Sequence, residues 1–171
     1  MFLLVIHLAL FAVAMPQAGV SPTCELSRVQ AESSFRQRND LKTRQQAEAD
    51  LQRALEACAT APVHPRLERR LRIVQDEIAT THLQIALWLP HADGVGLLKG
   101  ALYHLRIINE KYSNYSHTDR VLFLLGDYSD RNGDAQDATK YFQRLIATFP
   151  RSSYATLARE RLAKLSAGGE T

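Results

Sequence analysis

No stretch of this chain alternates apolar and polar residues long enough to make a β-strand. No apolar run reaches the roughly 20 residues needed to cross a bilayer as a helix. The usual catalytic signatures are missing too, with no H-E-x-x-H, no C-x-x-C and no G-x-S-x-G. Zincin, dithiol-redox and α/β-hydrolase chemistry therefore have no foothold. Cysteine is scarce, with two in 171 residues, and tryptophan occurs once. What is present, 46% hydrophobic and 23% charged residues, suffices for the buried core of one domain.

Charge is also absent from residues 1–14, where Phe2 to Ala14 is apolar except for His7 and ends in Ala12-Val13-Ala14. An apolar segment of that length closing on an A-x-A pattern reads as a secretory signal peptide, with cleavage up to residue 18. Export would carry Cys24 and Cys58 into an oxidising compartment, where an even count favours pairing over two separate buried thiols. A turn at Arg38-Asn39-Asp40 would fold residues 19–62 into a helical hairpin and bring the two cysteines within about one helical turn. Closing that loop would stabilise the hairpin by roughly 3 to 4 kcal/mol on chain-entropy grounds.

The net charge of +3 raises the question of nucleic acid. Arg66, Arg69, Arg70 and Arg72 form the densest basic run, but no aromatic residues interleave with it and a helix would spread the four around more than one face. A solvated helix surface is the better reading, and no nucleic-acid partner is expected.

Nearly every segment after the leader shows 3.6-residue periodicity, so the fold class is all-α. The first helix pair covers Glu25 to Gln37 and Leu41 to Cys58, the second member carrying Ala47, Leu51, Ala54 and Cys58 on one face. Ala61-Pro62 and His64-Pro65 interrupt the helix, and the next one starts near Arg66 and stops before Pro90. Its apolar stripe of Leu71, Val74, Ile78, Ile85 and Trp88 is broken where Thr81 and His82 fall on the same face. Residues His91 to Gly100 read as a glycine-bearing interhelix turn; Gly94, Gly96 and Gly100 do not match the dinucleotide fingerprint, and no strand precedes them.

The second half repeats itself. Ala101, Leu105, Ile108 and Tyr112 recur as Ala138, Phe142, Leu145 and Phe149, each 37 residues later, and Ser116 and Leu125 recur as Ser153 and Leu162. Such a helix-turn-helix unit cannot bury its apolar face alone, so neighbours must stack. Pro150 ends one helix, and Ser152 or Ser153 is placed to cap the next.

Leu122, Leu125, Gly126, Ala138, Phe142 and Pro150 occupy the large, large, small, small, aromatic and proline positions of a tetratricopeptide repeat. With the 37-residue period and the stretch "GDAQDATKYFQRLIATFPRSSYATLARERLAKL", residues 66–165 resemble the repeats of the family of the outer-membrane protein assembly lipoprotein BamD. The resemblance implies a short α-α superhelix of about three tetratricopeptide-like hairpins, followed by a flexible tail at 166–171. It implies a non-catalytic protein-protein interaction scaffold of the cell envelope that assists outer-membrane protein assembly, exported to the periplasm or the periplasmic face of the outer membrane. The alternative is a periplasmic adaptor that regulates a cell-wall enzyme. Cys24 follows Ser21-Pro22-Thr23 rather than a lipidation box, so membrane association is expected only through the N-terminus or a partner.

By the same resemblance, Arg120, Phe123, Asp127, Asp130 and Arg131 take the positions that line the concave groove and would contact a protein or peptide partner. Phe123 would anchor the partner, unless a further helix covers it. No cofactor or metal is expected. Asp127, Asp130, Asp134 and Asp137 lack the spacing and terminal Glu of an EF-hand, and His91 with Asp93 reads as a solvent-facing turn. Asn114-Tyr115-Ser116 is a glycosylation sequon whose meaning depends on the host, and it decides nothing here.

Overall fold

The computed structural model describes residues 20–91 and 95–168. Residues 1–19, with the segment expected to be a signal peptide, residues 92–94 and residues 169–171 lie outside the described residues. Seven α-helices and one short 3-10 turn make up the described regular structure, with no strand among these residues.

Helix α1 (Pro22–Arg36) begins where Ser21 Oγ accepts the Cys24 amide at 3.1 Å, with Pro22 in the first turn where a missing N–H costs nothing. Helix α2 (Leu41–Ala57) opens on a reciprocal capping box: Asp40 accepts the Thr43 amide at 2.8 Å and Thr43 Oγ1 accepts the Asp40 amide at 3.0 Å. Cys24 and Cys58 are joined in a disulfide that ties the start of α1 to the end of α2. Helix α3 (His64–Trp88) starts two residues earlier than the sequence suggests. His64-Pro65 initiates this helix instead of interrupting it, because proline's fixed φ suits the first turn. The turn Leu89–His91 comes next.

Helix α4 (Val95–Lys111) takes in Gly96 and Gly100, which by sequence belong to a turn. The only described glycine with positive φ is Gly133, at 84°, just past the end of α5 (Thr118–Arg131). Helix α6 (Ala135–Thr148) is capped by Asp134, which accepts the Asp137 amide at 3.0 Å. Helix α7 (Ser153–Gly168) extends into the segment expected to be a flexible tail. Its start is held by Ser152, whose Oγ accepts the Tyr154 amide at 3.2 Å and donates to Asp119 Oδ2 at 2.6 Å.

Each helix packs on its neighbours in sequence, and α5 also meets α7. The core keeps that order. One apolar cluster runs from Cys24 on α1 to Tyr128 on α5, and a second joins Leu122 of α5 to α6 and α7. The residues displaced by 37 in sequence are buried alike: Ala101, Leu105 and Ile108 on α4, and Ala138, Phe142 and Leu145 on α6. Burying these side chains stabilises each helix pair by roughly 1.5–3 kcal/mol per large residue.

Gly126 is the tightest point. A Cβ there would stand 2.6 Å from Phe142 Cδ1 and 2.8 Å from its Cζ, inside any real contact distance. Gly126→Ala should therefore lower stability by about 1–3 kcal/mol despite alanine's better helix propensity. Urea unfolding followed by circular dichroism checks this, and the loss should shrink when Phe142→Leu is added.

Candidate functional site

The five α5 residues expected to line a groove do not form an open one. Phe123 is half-buried, its ring 5.5 Å from Tyr154 and 5.9 Å from Phe142 between centroids. Asp127 faces α7 as well: Arg161 Nη2 lies 2.9 Å from its Oδ1 as an ion pair without hydrogen-bond alignment, and Arg131 is 4.0 Å away. Arg120 and Asp130 are partly buried, and only Arg131 is exposed, with its guanidinium 5.4 Å above the Tyr128 ring. The reason lies in the stacking. Helix α7 returns onto α5 after α6 and packs on Phe123 and Asp127, the middle of the stripe that an unaccompanied repeat would leave open.

Three of the four aspartates that lack EF-hand spacing have other uses. Asp134 caps α6, Asp137 pairs with Lys140 at 3.2 Å and Arg106 at 3.7 Å, and Asp127 serves α7. Among the described residues no group of three or more His, Cys, Asp or Glu side chains is placed to hold a metal ion. No described helix is long and apolar enough to cross a membrane.

Two polar clusters are buried between helices. Asp50 of α2 accepts from Ser34 and Gln30 (3.4 Å) of α1, and from Gln46 (3.0 Å) and Arg53 of its own helix. Burial alone would raise its pKa, but these hydrogen bonds and the Arg53 charge outweigh that and hold it below the ordinary value. Between α3 and α4, His82 Nδ1 and His104 Nδ1 meet at 2.8 Å, so one ring donates and the other accepts. His82 is 5% exposed. Its pKa is pushed down to about 4, first by burial and then by His104 and Lys111. Burial also lowers that of His104.

A cleft of about 900 Å³ opens between α3 and the turn joining α4 to α5. Its floor is fixed by hydrogen bonds: Tyr112 Oη donates to Glu48 at 3.1 Å, Gln75 donates to the same carboxylate at 3.0 Å, and Tyr115 meets Thr80 at 3.1 Å. Burial, with the Glu48 charge as the next largest cause, raises the Tyr112 pKa well above its usual value, so this hydroxyl stays protonated. Glu77 on the wall is clamped by Arg38 at 2.9 and 3.1 Å, with Arg44 3.7 Å away. Sequence reasoning does not find this cleft, because its parts lie some 40 positions apart and belong to no shared motif. The histidine pair does leave a trace, the polar interruption of the α3 stripe at Thr81 and His82.

The site is thus a polar, charge-lined cleft on an all-helical framework. No family model and no curated protein matches the chain.

Because Phe123 is packed, Phe123→Ala should cost about 1–3 kcal/mol in urea unfolding, as for other truncations of aromatic core contacts. An unchanged midpoint would return Phe123 to the surface. The histidine pair predicts a pH dependence. With its folded-state pKa below the unfolded 6.5, His82 lends stability that is fully present above pH 6.5 and declines as pH falls toward about 4. Wild-type protein should lose about 2 kcal/mol between pH 7 and pH 5, and His82→Gln should remove most of that slope.

Proposed function

We propose that this chain is a non-catalytic protein-protein interaction scaffold built from tetratricopeptide-like hairpins stacked as a short superhelix. The observation that carries the reading is the match between sequence repeat and burial: positions 37 residues apart, Ala101 with Ala138 and Leu105 with Phe142, are all fully buried on the helices that pack against their neighbours. A core made of nearest-neighbour contacts leaves long lateral surfaces free, which is the property repeat scaffolds use to hold partners. The setting proposed is the cell envelope, where the scaffold assists outer-membrane protein assembly. Support comes from the resemblance of residues 66–165 to the assembly-lipoprotein repeats and from the disulfide between Cys24 and Cys58, a bond that persists in oxidising compartments.

Crosslinking of the tagged full chain in envelopes, with mass spectrometry of the captured proteins, tests the reading. The expected result is enrichment of β-barrel assembly components over an unrelated exported control. Recovery of peptidoglycan enzymes in their place would move the scaffold to cell-wall regulation, and recovery of neither would overturn the envelope role.

A further inference from the structure

Two cations at the α3 cleft stand apart from the ion pairs around them. Among the described residues, Arg72 and Lys111 line the cleft without a carboxylate in ion-pair range, whereas Glu77 beside them is held by Arg38 and approached by Arg44. Asp76, one helical turn from Arg72, accepts from Ser116 Oγ at 3.3 Å, a bond that leaves its charge in place, so the described lining holds two unpaired cations against one unpaired carboxylate. Ile73, on the same wall, is 46% exposed, an apolar side chain between charged neighbours.

We infer that this cleft binds an extended acidic peptide segment bearing one apolar side chain, its carboxylates meeting Arg72 and Lys111 and its apolar group resting on Ile73. The inference deepens the scaffold reading and rests on it for the partner's being a protein. Three features select a peptide. The volume of about 900 Å³ is far larger than a single inorganic anion needs and accommodates several residues. The floor is rigid before anything binds, since Tyr112, Tyr115, Gln75 and Glu77 already have their hydrogen bonds, so little ordering opposes association. Bases of a nucleic acid would need a stacking surface, and Tyr112 and Tyr115 are buried, at 9% and 6% exposure. Arg72 and Lys111 are exposed at the cleft, so both are free to meet a carboxylate that reaches it.

The test uses the full chain and a fluorescein-labelled Gly-Glu-Asp-Leu-Glu-Asp-Gly peptide, with anisotropy read at low salt. Saturable binding that weakens as salt rises is expected, and the charge-reversed peptide with Lys at every acidic position should not bind. The Arg72→Glu/Lys111→Glu double variant should lose affinity by about tenfold or more, and Ile73→Ser by about three- to tenfold. The neutral pair Arg72→Gln/Lys111→Gln should fall between wild type and the reversal, with melting temperature and helicity unchanged in all variants. Absence of saturable binding, equal binding of the lysine peptide, affinity unaffected by the double reversal, or equally tight binding of single-stranded oligothymidylate would each overturn the inference. The scaffold reading fails separately. Partners captured equally by wild type and the double reversal would overturn this cleft while sustaining the scaffold. Peptide binding with no captured partner would sustain the cleft and overturn the envelope role.

Discussion

Close approach between helices is the constraint on which the rest of this molecule depends, and a small residue permits it at each crossing. Gly126 of α5 lies beneath the Phe142 ring with no room for even a methyl group. Fully buried alanines do related work elsewhere: Ala47 and Ala54 on α2, Ala79 and Ala86 on α3, Ala101 on α4, Ala138 on α6, and Ala155 and Ala158 on α7. At Ala101 and Ala138 the small position brings backbones together, and the large residues four and seven positions along the same face, Leu105 with Ile108 and Phe142 with Leu145, fill the space beside it. The register of one helix on the next is set by where its alanine falls. On α4, a shift by a single residue would put Leu102 where Ala101 now sits.

A stack held by neighbour contacts has a weakness at its ends, where a terminal helix is supported from one side and opens most readily. Both ends here carry additional ties. At the first, the disulfide closes α1 onto α2, and Asp50, with a wholly buried carboxylate, collects donors from both helices. At the other, Ser152 bonds to Asp119 and Arg161 pairs with Asp127, so α7 is held to α5 at two heights along its length. These contacts are polar and directional, unlike the alanine-leucine packing between them. They select one seating of the end helix among the several that apolar contact alone would allow.

The helices and their buried faces are legible in the sequence because both are local or periodic properties. Proline and capping residues fall within a few positions of the ends they set, and the 37-residue displacement is visible by eye. The differences between sequence and structure share a cause. Pro65 and Gly96 look like breakers, yet one begins a helix and the other lies within one, since the same residue type can close one helix or open another according to its neighbours. Phe123 and Asp127 look like a groove because a single repeat, considered alone, exposes that stripe; which helix comes to lie on it is a tertiary fact. The cleft is invisible in the sequence for the same reason, its wall on α3 and its floor on a turn some 40 residues later.

That cleft sits where the repeat departs from its own symmetry. In the second copy, Ser152 caps the next helix, and α7 begins at Ser153. The equivalent of Ser153 in the first copy is Ser116, whose hydroxyl is turned to Asp76 of α3, and α5 does not begin until Thr118 with no side-chain cap. The connection is two residues longer at that point, and its extra length carries Tyr115 into the core beside Thr80. A capping interaction worth about 1 kcal/mol has been given up, and a turn that reaches back over α3 stands in its place. The burial of Tyr115 and its hydrogen bond to Thr80 offset the lost cap, so the longer turn exchanges a local interaction for a tertiary one. The exchange coincides with the recess in which Arg72 and Lys111 stand without acidic partners among the described residues.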